Sequence, residues 1–157
     1  MKIVFLDFDG PIIPLQSHEP ERPIETKAWP PCVQALNRIT KTTGAVIVVS
    51  SSWRSDGMYR IRALLKSWGV TGKVIGATPI FFSKKSGSWN SVPRGEEVAG
   101  YLHGRTDVES FVILDDDNNM KDMDAHLIQT PFDVGLTETD ADVAIDMLMR
   151  PRDTRLA

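Results

Sequence analysis

The chain of 157 residues has a single cysteine, Cys32, and only three histidines, with no excess of positive charge and no long apolar run. Each shortage removes a class of protein. One thiol cannot close an intramolecular disulfide, so a reducing compartment, the cytoplasm, is the expected location. His18, His103 and His126 show no metal-ligand spacing, and one cysteine does not complete a zinc set. Lys and Arg number 18 against 21 Asp and Glu, a formal net charge of −3. No global positive field therefore draws in nucleic acid or anionic membrane, although a local basic groove remains compatible. The apolar start, Ile3 to Phe8, is too short for a signal segment or a membrane span and contains an aspartate. No membrane partner is expected, and the oligomeric state is left open.

What is present is ordinary for a soluble domain, with 41% hydrophobic and 25% charged residues. The length suits one domain over residues 1–157. KIVFLDF at 2–8 and AVIVV at 45–49 read as strands buried on both faces. Phe111–Leu114 is a third strong run, and Val74–Ile75 and Leu127–Ile128 are weaker ones. Helical spacing separates them: Pro31–Thr43 stopping at Gly44, a stripe from Met58 to Trp68 stopping at Gly69, Arg94–His103, and DADVAIDMLM capped by Thr137 or Thr139 and followed by Pro151. Alternating strands and helices predict an α/β protein, a three-layer α/β/α Rossmann-like sheet of about five parallel strands. Two segments fit neither period: the proline-rich Pro11–Pro30 and TPIFFSKKSGSWNSVP at 78–93, both expected to be irregular loops.

Ligands of an open parallel sheet bind beyond the carboxyl ends of its strands. Asp7 and Asp9 end the first strand, Ser50–Ser52 the second, and Asp115–Asp117 the run FVIL, so all three clusters belong on one rim. Serine and aspartate also cap helices and begin turns. That explanation fails for Asp7, which lies inside an apolar run with Phe8 after it. Two carboxylates about 4 Å apart repel by about 4 kcal/mol at an effective dielectric of 20. Something positive must hold the rim together, and hard oxygen donors without histidine or cysteine indicate Mg²⁺. In an extended segment, alternate residues face one way with Cα atoms roughly 6–7 Å apart, so Asp7 and Asp9 can address one substrate from different sides. Gly10 then lets the backbone turn close to the ligand.

These residues resemble the motifs of the haloacid dehalogenase-like (HAD) phosphohydrolases. DFDGPI is similar to the first motif, VIVVSSSWR to the second, FVILDDD to the fourth, and Arg94 in VPRGEEVAGYL stands where the third motif has its phosphate-holding cation. Lys84 and Lys85 are rivals for that role. The ordered set spans residues 3–117. The resemblance implies a Mg²⁺-dependent phosphomonoesterase in which Asp7 attacks phosphorus to form an aspartyl-phosphate and Asp9 moves the proton. It further implies Ser50, Ser51 and Arg94 on the phosphate, and a metal held by Asp7, the Asp9 backbone carbonyl and Asp115 or Asp116. Asp9 argues against a dehalogenase, which needs no proton on its leaving group.

Neither irregular segment is long enough for a cap domain, so a capless site, or one with a minimal flap, is expected. The series SSSWR, TP, RGEEV, ILDDD and GLT is similar to the small phosphatase domains of RNA-repair proteins, related to the 3′-phosphatase half of polynucleotide kinase-phosphatases. The substrate so implied is a phosphate ester at a nucleic-acid end. Phe81, Phe82 and Trp89 interleaved with Lys84 and Lys85 offer stacking surfaces and charge for unpaired bases; packing of the two phenylalanines on the sheet is the competing reading. Trp53 and Arg54 are candidates for the site entrance, and His18 for substrate contact. The alternatives are a small-molecule nucleotidase, a non-catalytic receiver-like phosphate-binding module, and a nucleotide-sugar transferase using DDD as its metal motif. The last leaves Asp7 and Asp9 unexplained.

Overall fold

The computed structural model describes residues 1–85 and 87–150, without the side chain of Lys85, so Pro151 and the segment after it lie outside the described residues. Five strands form one parallel sheet: β1 (Lys2–Leu6), β2 (Val46–Val49), β3 (Val74–Ala77), β6 (Ser110–Asp115) and β7 (Leu127–Gln129), in the order β3-β2-β1-β6-β7. All five are the runs expected from the sequence. The apolar continuity of β1 has its cause in position, because it sits between β2 and β6 and is covered on both faces. Val4 and Leu6 point into one core, Ile3 and Phe5 into the other. All four are fully buried, and each such side chain contributes about 1.5–3 kcal/mol.

The first core packs α1 (Pro30–Thr43), α2 (Met58–Ser67) and α4 (Glu138–Met149) against the sheet through Leu36, Ile39, Ile61, Leu65 and Ala144. The second packs α3 (Arg94–Leu102) on the opposite face through Val98, with Met120 and Val108 beside it. Layers of helix, sheet and helix result. Crossing from β3 to β6 moves the chain to the far side of β1, so the strand order reverses between β1 and β6, the place where such sheets bind ligands.

The helix ends follow local chemistry. Gly44 closes α1 in the left-handed region with φ of 70°. Thr137, rather than Thr139, caps α4, in a reciprocal box with Asp140. The expected loop Pro11–Pro30 runs only to Trp29, since Pro30 opens α1; it contains two short 3-10 turns, at Leu15–Ser17 and Ile24–Thr26, and is tied down by the fully buried Ile12 and Ile13.

The segment 78–93 differs from expectation. It contains an antiparallel ribbon, β4 (Phe82–Lys85) and β5 (Ser88–Ser91), separate from the main sheet. FSKK and SWNS lack the alternating apolar pattern because the ribbon buries neither face deeply. Gly87, at φ of 85°, was the available turn signal.

Candidate active site

Asp7 follows β1 directly, and its amide continues the ladder by donating to the Leu114 carbonyl at 2.9 Å. Asp115 is the last residue of β6, the neighbouring strand. Carboxylate oxygens of Asp7, Asp115 and Asp116 all lie within 4.8 Å of one another. Asp7 and Asp115 are buried and Asp116 half-buried. Asp117 is exposed and outside this trio, but its backbone amide donates to Asp115 Oδ1 at 3.0 Å and fixes that carboxylate.

Burial is the main reason that Asp7 rises from 3.8 to about 6, opposed by the Ser51 side chain and the Arg94 charge. Asp115 is pushed to about 7, first by burial and then by the charge of Asp7. Asp116 is also raised, chiefly by burial. Three carboxylates that resist ionising together, with oxygen donors only, are the donor set of a hard divalent cation, and Mg²⁺ fits it. The local cation is only a partial offset: Arg94 Nε stands 3.7 Å from Asp115 Oδ2, and its Nη1 is held by Glu97 at 3.1 Å.

Asp9 does not join the trio with its carboxylate. The Trp53 indole donates to Asp9 Oδ2 at 2.8 Å, and His18 Nε2 lies 3.5 Å from Oδ1. His18 thus stands beside the second aspartate, and Trp53, packed against Phe8 and Trp68, both fills the core edge and aims that carboxylate. Asp9 remains close enough to act electrostatically on both Asp7 and Asp116. Gly10, at φ of 94°, carries the chain past Asp116, where a Cβ would come within 2.5 Å of the Asp116 Cβ. The glycine is thus set by contact with the fourth motif as well as by the turn.

Ser50 and Ser51 follow β2 directly and are fully buried. The Ser50 hydroxyl has no hydrogen-bond partner among the described residues. Arg94 begins α3 and lines a cleft of about 700 Å³ together with Asp7, Asp115, Asp116, Phe82 and Ser91. Lys84 lies out on the ribbon, exposed, and the Lys85 side chain lies outside the described residues.

Arg54 lines the same cleft, and most of its donors are engaged within the protein. It is 7% exposed, and its guanidinium donates to the carbonyls of Ser51, Thr78 and Pro79 and to Glu97 Oε2 at 2.5 Å. With these donors so occupied it acts as a strut joining the second motif to α3. Glu97, missed from the sequence, is the other half of that strut. It accepts from Arg54, Arg94 and the Phe81 amide while 4% exposed. The signal was a carboxylate three residues after Arg94, the spacing at which side chains on a helix meet.

The strut depends on close packing of the first turn of α3. A Cβ on Gly95 would fall 1.8 Å from the Met120 carbonyl oxygen. Backbone cannot yield there without moving the helix, and overpacking of this kind costs about 1–3 kcal/mol or more. Gly95→Ala is expected to lower Tm by about 5 °C or more in a thermal melt and to displace Arg94; an unchanged Tm would refute that packing.

A parallel sheet in this strand order, with aspartates from its first and fourth strands meeting at the switch point, defines a HAD-type domain. The narrower assignment comes from a family model, the HAD domain in Swiss Army Knife RNA repair proteins, which matches residues 3–141. The chain belongs to that family, which points to hydrolase chemistry of the phosphatase type in RNA repair. No curated protein and no solved structure matches it. Among the described residues no helix is long and apolar enough to cross a membrane.

Proposed function

We propose that the protein is a Mg²⁺-dependent phosphomonoesterase that removes the 3′-phosphate from RNA ends through an aspartyl-phosphate. The observation that carries this is the convergence of Asp7, Asp115 and Asp116 in the lining of one cleft. Asp7, Asp115 and Asp116, with the Asp9 backbone carbonyl, would hold Mg²⁺. That ion supplies positive charge to offset what develops on the transferring phosphoryl group.

Asp7 attacks phosphorus with a carboxylate oxygen, and the bond from phosphorus to the ribose oxygen breaks. The leaving oxygen takes its proton from Asp9, which the Trp53 indole holds in place. A water then gives a proton back to Asp9 and attacks phosphorus, the bond to Asp7 breaks, and inorganic phosphate departs. Arg94, oriented by Glu97, and Ser50, whose buried hydroxyl is otherwise unpaired, serve the non-bridging oxygens. A cytoplasmic location is part of this reading, since Cys32, the single cysteine, stands as a free, buried thiol.

The test is Mg²⁺-dependent phosphate release from 3′- and 5′-phosphorylated oligonucleotides, a mononucleotide and a phosphopeptide, with Asp7→Asn as control. The 3′-phosphorylated strand is expected to be the best substrate by about tenfold or more, the equivalent of roughly 1.4 kcal/mol. Preference for the mononucleotide would identify a small-molecule nucleotidase. Equal behaviour of parent and Asp7→Asn on all four would remove the enzyme assignment.

A further inference from the structure

The β4–β5 ribbon has a face that the chemistry above does not use. Directly opposed residues of an antiparallel pair share a side, and sides alternate along each strand. The pairing of Phe82 with Ser91 and of Lys84 with Trp89 therefore puts these four on one face. Phe82 and Ser91 line the cleft that also holds Asp7 and Arg94. Lys84 and Trp89 continue the same face away from the cleft, toward the ribbon tip. Phe82 is 61% exposed and Trp89 69%, and Lys84 is exposed beside them. Phe81 behaves differently, its ring lying where a Cβ on Gly100 of α3 would come within 2.5 Å. Phe81, 40% exposed, thus rests one side of its ring on α3, while Phe82 is presented at the cleft.

We infer that this face is a binding track for single-stranded nucleic acid leading into the phosphate site. It rests on the phosphatase proposal for which end of the strand enters. Phe82 stacks on the terminal base, Trp89 on the base before it, and Lys84 meets the phosphate between them. Aromatic rings beside a cation make a sequence-tolerant platform for unpaired bases. Diagonal neighbours on a ribbon stand about 7–8 Å apart, close to twice the roughly 3.4 Å rise of a stacked strand. Successive bases must therefore be splayed to reach both rings, which a duplex does not allow. With a chain charge of −3, a local cation on the track supplies attraction that the molecule as a whole does not.

The experiment measures Mg²⁺-dependent binding of a short labelled 3′-phosphorylated RNA to the Asp7→Asn protein by fluorescence anisotropy, with the strand free or in a blunt duplex. Trp89→Ala and Phe82→Ala are each expected to weaken single-strand binding by about tenfold. Lys84→Ala should flatten the dependence of log K on log salt by about 0.7. Tyr59→Ala removes an exposed ring on α2 and should change nothing. Equal affinity for free strand and duplex, or undiminished binding by both aromatic variants, would overturn the track. Because binding is read without turnover, loss of affinity in the ribbon variants supports the track even if the parent protein releases no phosphate, and phosphate release with unaffected binding retains the phosphatase proposal alone.

Discussion

Asp7→Asn is expected to abolish Mg²⁺-dependent phosphate release, by on the order of 10³-fold or more, while making the metal-free protein more resistant to heat at neutral pH. Loss of activity follows from removing the nucleophilic oxygen. The gain in stability follows from the same burial. Asp7 and Asp115 hold protons in the folded state up to about 6 and 7, whereas unfolded carboxyls release them near 3.8. The folded state therefore binds more protons than the unfolded one between about pH 4 and 7, and stability falls as pH rises through that window. Asparagine keeps the shape and removes one of the opposed charges. Thermal melts without metal should show parent Tm dropping between pH 5 and pH 8, with Asp7→Asn dropping less and exceeding parent by about 5 °C at pH 8. Mg²⁺ should restore the parent at pH 8. A variant that melts below parent at pH 8 would contradict the crowding of the three carboxylates.

Glu97→Ala should be the most destabilising single change near the site. It leaves the Arg54 guanidinium buried against carbonyl oxygens without its counter-charge, and removal of one member of a buried pair costs about 3–5 kcal/mol. For a chain of this length that is a fall in Tm of about 10 °C or more. Burial is the largest influence on Arg54 and lowers its pKa, with Glu97 the main opposing one, so the carboxylate is what makes the buried cation tolerable. Activity should fall further than stability explains, because Arg94 loses the carboxylate that orients it. Assays well below the variant's Tm separate the two effects. A mild loss of stability with full activity would show that neither arginine depends on Glu97.

The parts of this protein legible in its sequence are those whose cause is local or periodic. β1, β2 and β6 announce themselves because a central parallel strand must be apolar on both faces. The edge strands β3 and β7 gave short, weak runs for the opposite reason. Asp7 stood out as a charge placed where burial should forbid it, with Asp9 on the alternate position after it, and the rim follows from topology alone. Pairings across long sequence separations were not legible. Nothing local in SSSWR says that Arg54 turns inward to Glu97, 43 residues away. Nor does a tryptophan after three serines say that its indole will meet Asp9. The ribbon was hidden because its residues answer to a solvent-facing surface, which leaves no hydrophobic period.

The transient ester between Asp7 and phosphorus is most directly tested by the stereochemical course of hydrolysis, with a phosphate ester made chiral at phosphorus by oxygen isotopes. Two successive in-line displacements, first by Asp7 and then by water, give net retention of configuration. Net inversion would mean that water attacks the substrate directly and would contradict the account.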